Sequence, residues 1–210
     1  YDIATQSVVL LENNGVLPLK DAKNILLSGP NANSMWAMCG DYSFPAMSYF
    51  WKHNTENLEH APIVRLLQGM QSRKPEGMNI LYSRGCDWTE EIETKYTETG
   101  DERAREYTLL PRNVDSGEVA NKQAALAMGE NVMLCGENRD RQGLRLPGKQ
   151  EQYVEELLAT GKPVVLIMFG GRAQVVAGIA ERCAAVIQAW YPGEEGGNAV
   201  ADILYGNVSP

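Results

Sequence analysis

Positive charge is in short supply in this 210-residue sequence: 19 lysines and arginines face 27 aspartates and glutamates, for a net charge of −8. Nucleic acids and anionic membrane surfaces are gripped through basic faces, so neither is expected as a partner. No apolar run approaches the roughly 20 residues of a membrane span, and the chain does not open with a signal-peptide pattern. Histidine is scarce too. His53 and His60 are the only two, in a polar stretch with no carboxylate at a ligand spacing, so no metal site is expected. The cysteines Cys39, Cys86, Cys135 and Cys183 are scattered and form no Cys-x-x-Cys pair. That excludes a zinc knuckle and a disulfide scaffold, and predicts mostly buried free thiols. There is no Gly-x-Ser-x-Gly elbow, which disfavours a serine hydrolase. Gly161-Lys162 lacks the rest of a phosphate loop, and the two glutamates of Gly193-Glu194-Glu195-Gly196-Gly197 would repel a pyrophosphate. No cofactor is called for.

What is present reads as one soluble domain. The 44% hydrophobic and 22% charged composition is ordinary, and the length suffices for a real core. Short apolar runs alternate with amphipathic segments. Strands are predicted at Asn24–Ser28, Asn79–Ser83, Gln123–Met128, Pro163–Phe169 and Ala185–Trp190. Helices are predicted at Ile63–Met70 after Pro62, Lys149–Ala159, Ala173–Arg182 and Gly196–Leu204. This alternation predicts an α/β fold, a mostly parallel sheet sandwiched between helices in flavodoxin-like layers. Function in such sheets gathers at the carboxyl ends of strands. Four such loops are expected: Gly29–Tyr42, Glu130–Arg145, Gly170–Arg172 and Tyr191–Gly197. The polar stretch from Asp87 to Ser116 reads as a solvated excursion. The start at Tyr1 lacks a helix cap and the end at Pro210 lies in turn chemistry, so residues 1–210 are expected to be a domain cut from a larger protein. On that expectation the lack of a signal peptide says nothing about compartment.

One loop carries candidate chemistry. Gly-Glu-Asn occurs twice, at Gly129-Glu130-Asn131 and Gly136-Glu137-Asn138, the second copy beside Arg139 and Arg141. Nearby cations lower a glutamate's pKa and an apolar enclosure raises it, and a proton donor near neutral pH needs the second effect. The local residues leave two readings open, a surface ion pair and a tuned acid.

Five motifs in chain order resemble the second, α/β domain of glycoside hydrolase family 3, which includes many β-glucosidases and β-xylosidases. They are Ser7-Val8-Val9-Leu10-Leu11-Glu12-Asn13 through Leu19; Leu27-Ser28-Gly29-Pro30-Asn31-Ala32 with Gly40-Asp41-Tyr42-Ser43; Gly129-Glu130 through Gly136-Glu137, Arg141 and Leu146-Pro147; Thr160-Gly161-Lys162-Pro163 through Gly171-Arg172; and Ala189-Trp190-Tyr191-Pro192-Gly193 through Gly206. Ala173 stands where proline is usual, and Cys135 where serine is common.

The resemblance implies a retaining, exo-acting β-glycosidase in which Glu137 is the catalytic acid/base and Glu130 marks the strand end and orients the loop. It implies a nucleophilic aspartate on a preceding (β/α)8 barrel, absent here, so the isolated domain is expected to be inactive. It further implies a β-linked glycoside or oligosaccharide substrate and the barrel as partner; the compartment stays open, with a periplasmic or extracellular location favoured over a cytoplasmic one. Trp36, Asp41 and Tyr42 are candidates for the aglycone side, packing against the barrel being the other reading. Arg139 and Arg141 either position Glu137 and touch substrate or are solvated charges. Trp190 is expected in the core. A face that normally meets the barrel predicts self-association of the fragment. The alternative function is a non-catalytic carbohydrate-binding or interaction module; a flavodoxin-like cofactor binder is disfavoured by the acidic loop.

Overall fold

The structure, a computed structural model, describes residues 1–47, 62–88, 123–130, 135 and 143–210. Among these, one six-stranded sheet is built from β1 (Val9–Asn13), β2 (Asn24–Ser28), β3 (Asn79–Ser83), β4 (Gln123–Gly129), β5 (Val164–Phe169) and β6 (Ala185–Trp190). The strands lie in the order β1-β6-β5-β4-β2-β3, all parallel except β1, which runs antiparallel to β6. Helices α1 (Asp2–Ser7), α2 (Leu66–Arg73), α3 (Gln150–Ala159), α4 (Ala177–Ala180) and α5 (Gly196–Tyr205) accompany it.

Every residue of β5 is buried, as expected for a central strand covered on both faces. The pleat divides its side chains. Val165, Ile167 and Phe169 join a core with Leu66 and Met70 of α2 and Val200, Leu204 and Tyr205 of α5. Val164, Leu166 and Met168 join a second core with Tyr153, Val154 and Leu157 of α3. The sheet is therefore a middle layer between helices, the α/β class expected from the sequence.

Helices α2 and α5 approach closely enough that only glycine fits between them. A Cβ on Gly69 would lie 2.0 Å from the Gly197 carbonyl oxygen, and one on Gly197 would lie 2.2 Å from the Arg65 carbonyl oxygen. Asp202 of α5, almost fully buried, then ties three segments together. It accepts hydrogen bonds from the Tyr1 hydroxyl at 2.5 Å, Arg73 Nη1 at 2.5 Å and Asn207 Nδ2 at 2.9 Å.

Three elements depart from the sequence expectation. The strand β1 was not foreseen, because Val8-Val9-Leu10-Leu11 precedes a turn with no partner nearby in sequence; its partner β6 lies at the other end of the chain. Helix α2 starts at Leu66, not Ile63: the Val64 N–H donates to the Glu194 carbonyl and Arg65 is extended (ψ 157), so Pro62–Arg65 runs along the start of α5. The helix expected at 173–182 shrinks to α4. Val175 is claimed by the loop after β4 through its N–H to the Leu144 carbonyl and a parallel bridge to Arg145. The expectations for His53, His60 and the excursion beyond Trp88 lie outside the described residues.

Candidate functional site

The carboxyl ends of the parallel strands converge, and two buried amides lock them. From the turn after β2, Asn31 Nδ2 donates to the carbonyls of Met128 (3.1 Å) and Glu130 (3.2 Å), while its Oδ1 accepts from Trp88 Nε1 at 2.5 Å. Gln150, opening α3, reads the Gly129 peptide on both sides: Oε1 accepts from the Gly129 N–H at 2.7 Å and Nε2 donates to the Gly129 carbonyl at 2.9 Å. Gly129 has φ 115, and a Cβ there would stand 2.0 Å from the Phe169 carbonyl oxygen. Only glycine turns the chain so sharply. The turn delivers Glu130 into the interior.

Glu130 has no exposed surface. Its Oε2 lies 3.0 Å from Nε of Arg172, which follows β5. The surface ion-pair reading is therefore overturned for Glu130, whose carboxylate is enclosed and charge-compensated. Cys135, the one described residue between 131 and 142, sits against the same assembly. A Cβ on Gly171 would meet its Sγ at 2.9 Å, and the Tyr191 hydroxyl donates to its carbonyl at 3.5 Å. A hydrogen bond to the Cys135 side chain, opposed by burial and reinforced by the Glu130 charge, raises the Arg172 pKa above its ordinary value. Burial first, then Cys135 and Glu130, raises that of the Tyr191 hydroxyl. Gln174 is 91% buried beside this cluster, and neither of its side-chain polar atoms has a hydrogen-bond partner among the described residues.

The predicted site residues fall in three places. Glu137, Arg139 and Arg141 lie outside the described residues. Asp41 is half-buried and Tyr42 is exposed, at 69%, on the loop after β2; Gly40 of that loop packs beside the Tyr191 ring. Trp36 belongs elsewhere. It lines a 280 Å³ cleft at the β2–β3 side with Arg65, Tyr82, Arg84 and Trp88, where neither Asp41 nor Tyr42 contributes. Trp190 is half-buried, not core. It ends β6 at a register shift with φ 58, and its carbonyl accepts from the Gly170 N–H.

Sequence reasoning gave Asn31, Arg172 and Tyr191 only as parts of motifs, and missed Gln150 and Gln174 as site-building residues. A buried strand ending in Gly-Gly-Arg is a usable signal for Arg172, whereas nothing local marks Gln150 or Gln174. Of the cysteines, Cys39, Cys86 and Cys183 are buried, Cys135 is half-buried, and all four are free. No group of three or more possible metal ligands occurs among the described residues.

This arrangement can be set against known proteins. A periplasmic β-glucosidase of Salmonella typhimurium is 30% identical over the whole chain, which covers 26% of that protein. A β-xylosidase of Formosa agariphila is 29% identical, again with 26% of its length covered. Among solved structures, an exo-β-xylosidase in complex with a xylobiose aziridine activity-based probe superposes with a TM-score of 0.72 at 27% identity, over 99% of this chain and 23% of that one. The chain thus spans about a quarter of the length of these relatives. Residues 8–210 match the glycosyl hydrolase family 3 C-terminal domain, and the chain belongs to that family.

Proposed function

We propose that this chain is the acid/base-bearing domain of a retaining, exo-acting β-glycosidase of the β-glucosidase/β-xylosidase type, with Glu137 as the acid/base. The observation that carries the reading is the enclosed Glu130–Arg172 pair. In a chain of this family it anchors, at the carboxyl edge of the sheet, the loop whose Gly-Glu spacing leads to Glu137. A solvated charged loop has no use for a buried ion pair, which stabilises little by itself and is worth having where it fixes a geometry.

Retaining hydrolysis needs two carboxyl groups about 5–5.5 Å apart. The nucleophile is an aspartate on a preceding barrel domain, so the isolated chain holds half of the pair and is inactive. In the assembled enzyme Glu137 protonates the leaving-group oxygen. The charged nucleophile nearby helps keep Glu137 protonated until the glycosyl-enzyme forms. That charge then disappears, the Glu137 pKa falls, and the carboxylate deprotonates the attacking water. Tyr42 and Asp41 line the aglycone side, and Arg139 and Arg141 flank the acid. Exposed Tyr42, Phe44, Leu144 and Val175, all on segments that follow strand ends, supply an apolar face for the barrel and a route to self-association of the fragment. A periplasmic or extracellular location accords with the Salmonella relative.

The test uses the complete polypeptide with Glu137→Ala. An aryl β-glycoside with a good leaving group needs little acid assistance, so its glycosyl-enzyme accumulates, and azide, which needs no general base, restores turnover as the β-glycosyl azide. Full activity on poor leaving groups would overturn the assignment. Loss of turnover without azide rescue would also overturn it, and would favour a binding role for the domain.

A further inference from the structure

The cleft at the β2–β3 side is not used by this chemistry, and it is built as a site. We infer that it binds a uronosyl unit, an acidic sugar carried by the glycosidase's substrate. The sugar part of this inference rests on the glycosidase reading, and the acidic part on the cleft's own residues.

Among the described residues, Arg73, Arg84, Arg145, Arg172 and Arg182 each hold a carboxylate: Asp202, Asp87, Glu151, Glu130 and Glu155 in turn. Arg65 is the sixth described arginine and has no ion pair among the described residues. Arg65 is thus the exception among the described arginines, the one guanidinium not committed to a carboxylate. Arg65 lines the cleft, and its charge acts together with that of Arg84 on the Tyr82 hydroxyl across it.

A second observation is independent of charge. Ser34 also lines the cleft and is 93% buried, yet its Oγ has no hydrogen-bond partner among the described residues. A buried hydroxyl without a partner costs free energy unless a ligand or water completes it. A sugar hydroxyl is a natural complement.

The third observation is aromatic. Arg84 lies over the Trp88 ring, 5.0 Å from its centroid, and Trp88 Nε1 is held by Asn31, so this ring is fixed. Trp36 and Tyr82, the latter 40% exposed, supply the remaining aromatic surface on which a pyranose can stack. The 280 Å³ volume is at the small end of ligand sites, room for one ring and not an extended chain. The guanidinium of Arg65 would take the carboxylate, a pairing its planar fork suits.

The experiment measures binding of methyl α-D-glucuronoside and methyl α-D-glucoside, whose linkage a β-glycosidase does not cleave, to the complete polypeptide by calorimetry, with Arg65→Met, Arg65→Lys and Ser34→Ala beside the wild type. The glucuronoside is expected to bind roughly ten-fold or more tightly than the glucoside, the order of one charge-assisted hydrogen bond. Arg65→Met should abolish that preference and Arg65→Lys should restore part of it. Ser34→Ala should weaken the glucuronoside severalfold while keeping the preference for the acidic sugar. Equal binding of the two glycosides, a preference indifferent to Arg65→Met, or equally tight binding of acetate would each overturn the inference. Because binding and not turnover is read, failure here is separate from failure of the Glu137 assignment.

Discussion

Glu130 has no exposed surface, so its carboxylate cannot fall back on water if Arg172 is removed. Breaking a buried ion pair from one side costs about 3–5 kcal/mol, because the remaining charge stays enclosed. Arg172 is 25% exposed, and solvent near its guanidinium softens the loss. Arg172→Met is therefore expected to lower the chain's unfolding free energy by about 2–3 kcal/mol. Adding Glu130→Gln should return most of it, since the amide leaves no charge to bury. Urea unfolding of the single and double variants decides this, and equal destabilisation of the two would show that the lost contacts were packing alone. The sequence announced that Glu130 was special through its duplicated Gly-Glu-Asn. It could not announce the enclosure, because Arg172 is distant in sequence and meets Glu130 only once β4 and β5 pair.

At the scale of elements, the parallel strands were readable because each is a short apolar run bounded by turn residues, and β2, β3 and β6 span the expected residues. Helices were readable where a cap or terminator stood nearby, as at α3 and α5. They were misread where tertiary hydrogen bonds claimed the backbone, as at Pro62–Arg65 and Val175. The crossing of α2 and α5 was legible only as a glycine-rich turn, since close approach of two helices depends on both partners. It makes a testable contrast. Alanine normally favours a helix over glycine by about 1 kcal/mol. At Gly178 of α4 a Cβ would meet nothing within 4 Å, so Gly178→Ala should stabilise slightly. At Gly69 the same substitution drives a Cβ to 2.0 Å from the Gly197 carbonyl oxygen, and backbone cannot swing aside as a flexible side chain can. Overpacking of that kind costs about 1–3 kcal/mol, so Gly69→Ala should destabilise despite its better propensity. Thermal melts that ranked the two variants the other way would refute the close crossing.

Over the whole molecule, the free thiols make folding sensitive to alkali. Cys39, Cys86 and Cys183 are buried in the two cores that flank the sheet. Burial pushes the Cys39 and Cys183 thiols up to about 11 and that of Cys86 up to about 12, from an ordinary value of 9.0. An unfolded chain ionises these thiols near pH 9 while the folded chain still holds them protonated. Their contribution to stability is thus fully present below pH 9 and is lost as the pH rises from there through 11 to 12. Within that window each thiol adds a slope of about 1.4 kcal/mol per pH unit, because the folded state binds the extra proton. Urea unfolding between pH 8 and pH 10 should show a steep loss in the wild type. The triple variant Cys39→Ala, Cys86→Ala, Cys183→Ala starts from lower stability, since three small cavities replace the thiols, but its profile should be markedly flatter. Parallel profiles would mean that tyrosines, among them the enclosed Tyr191 and Tyr205 with their raised pKa values, carry the alkaline loss instead.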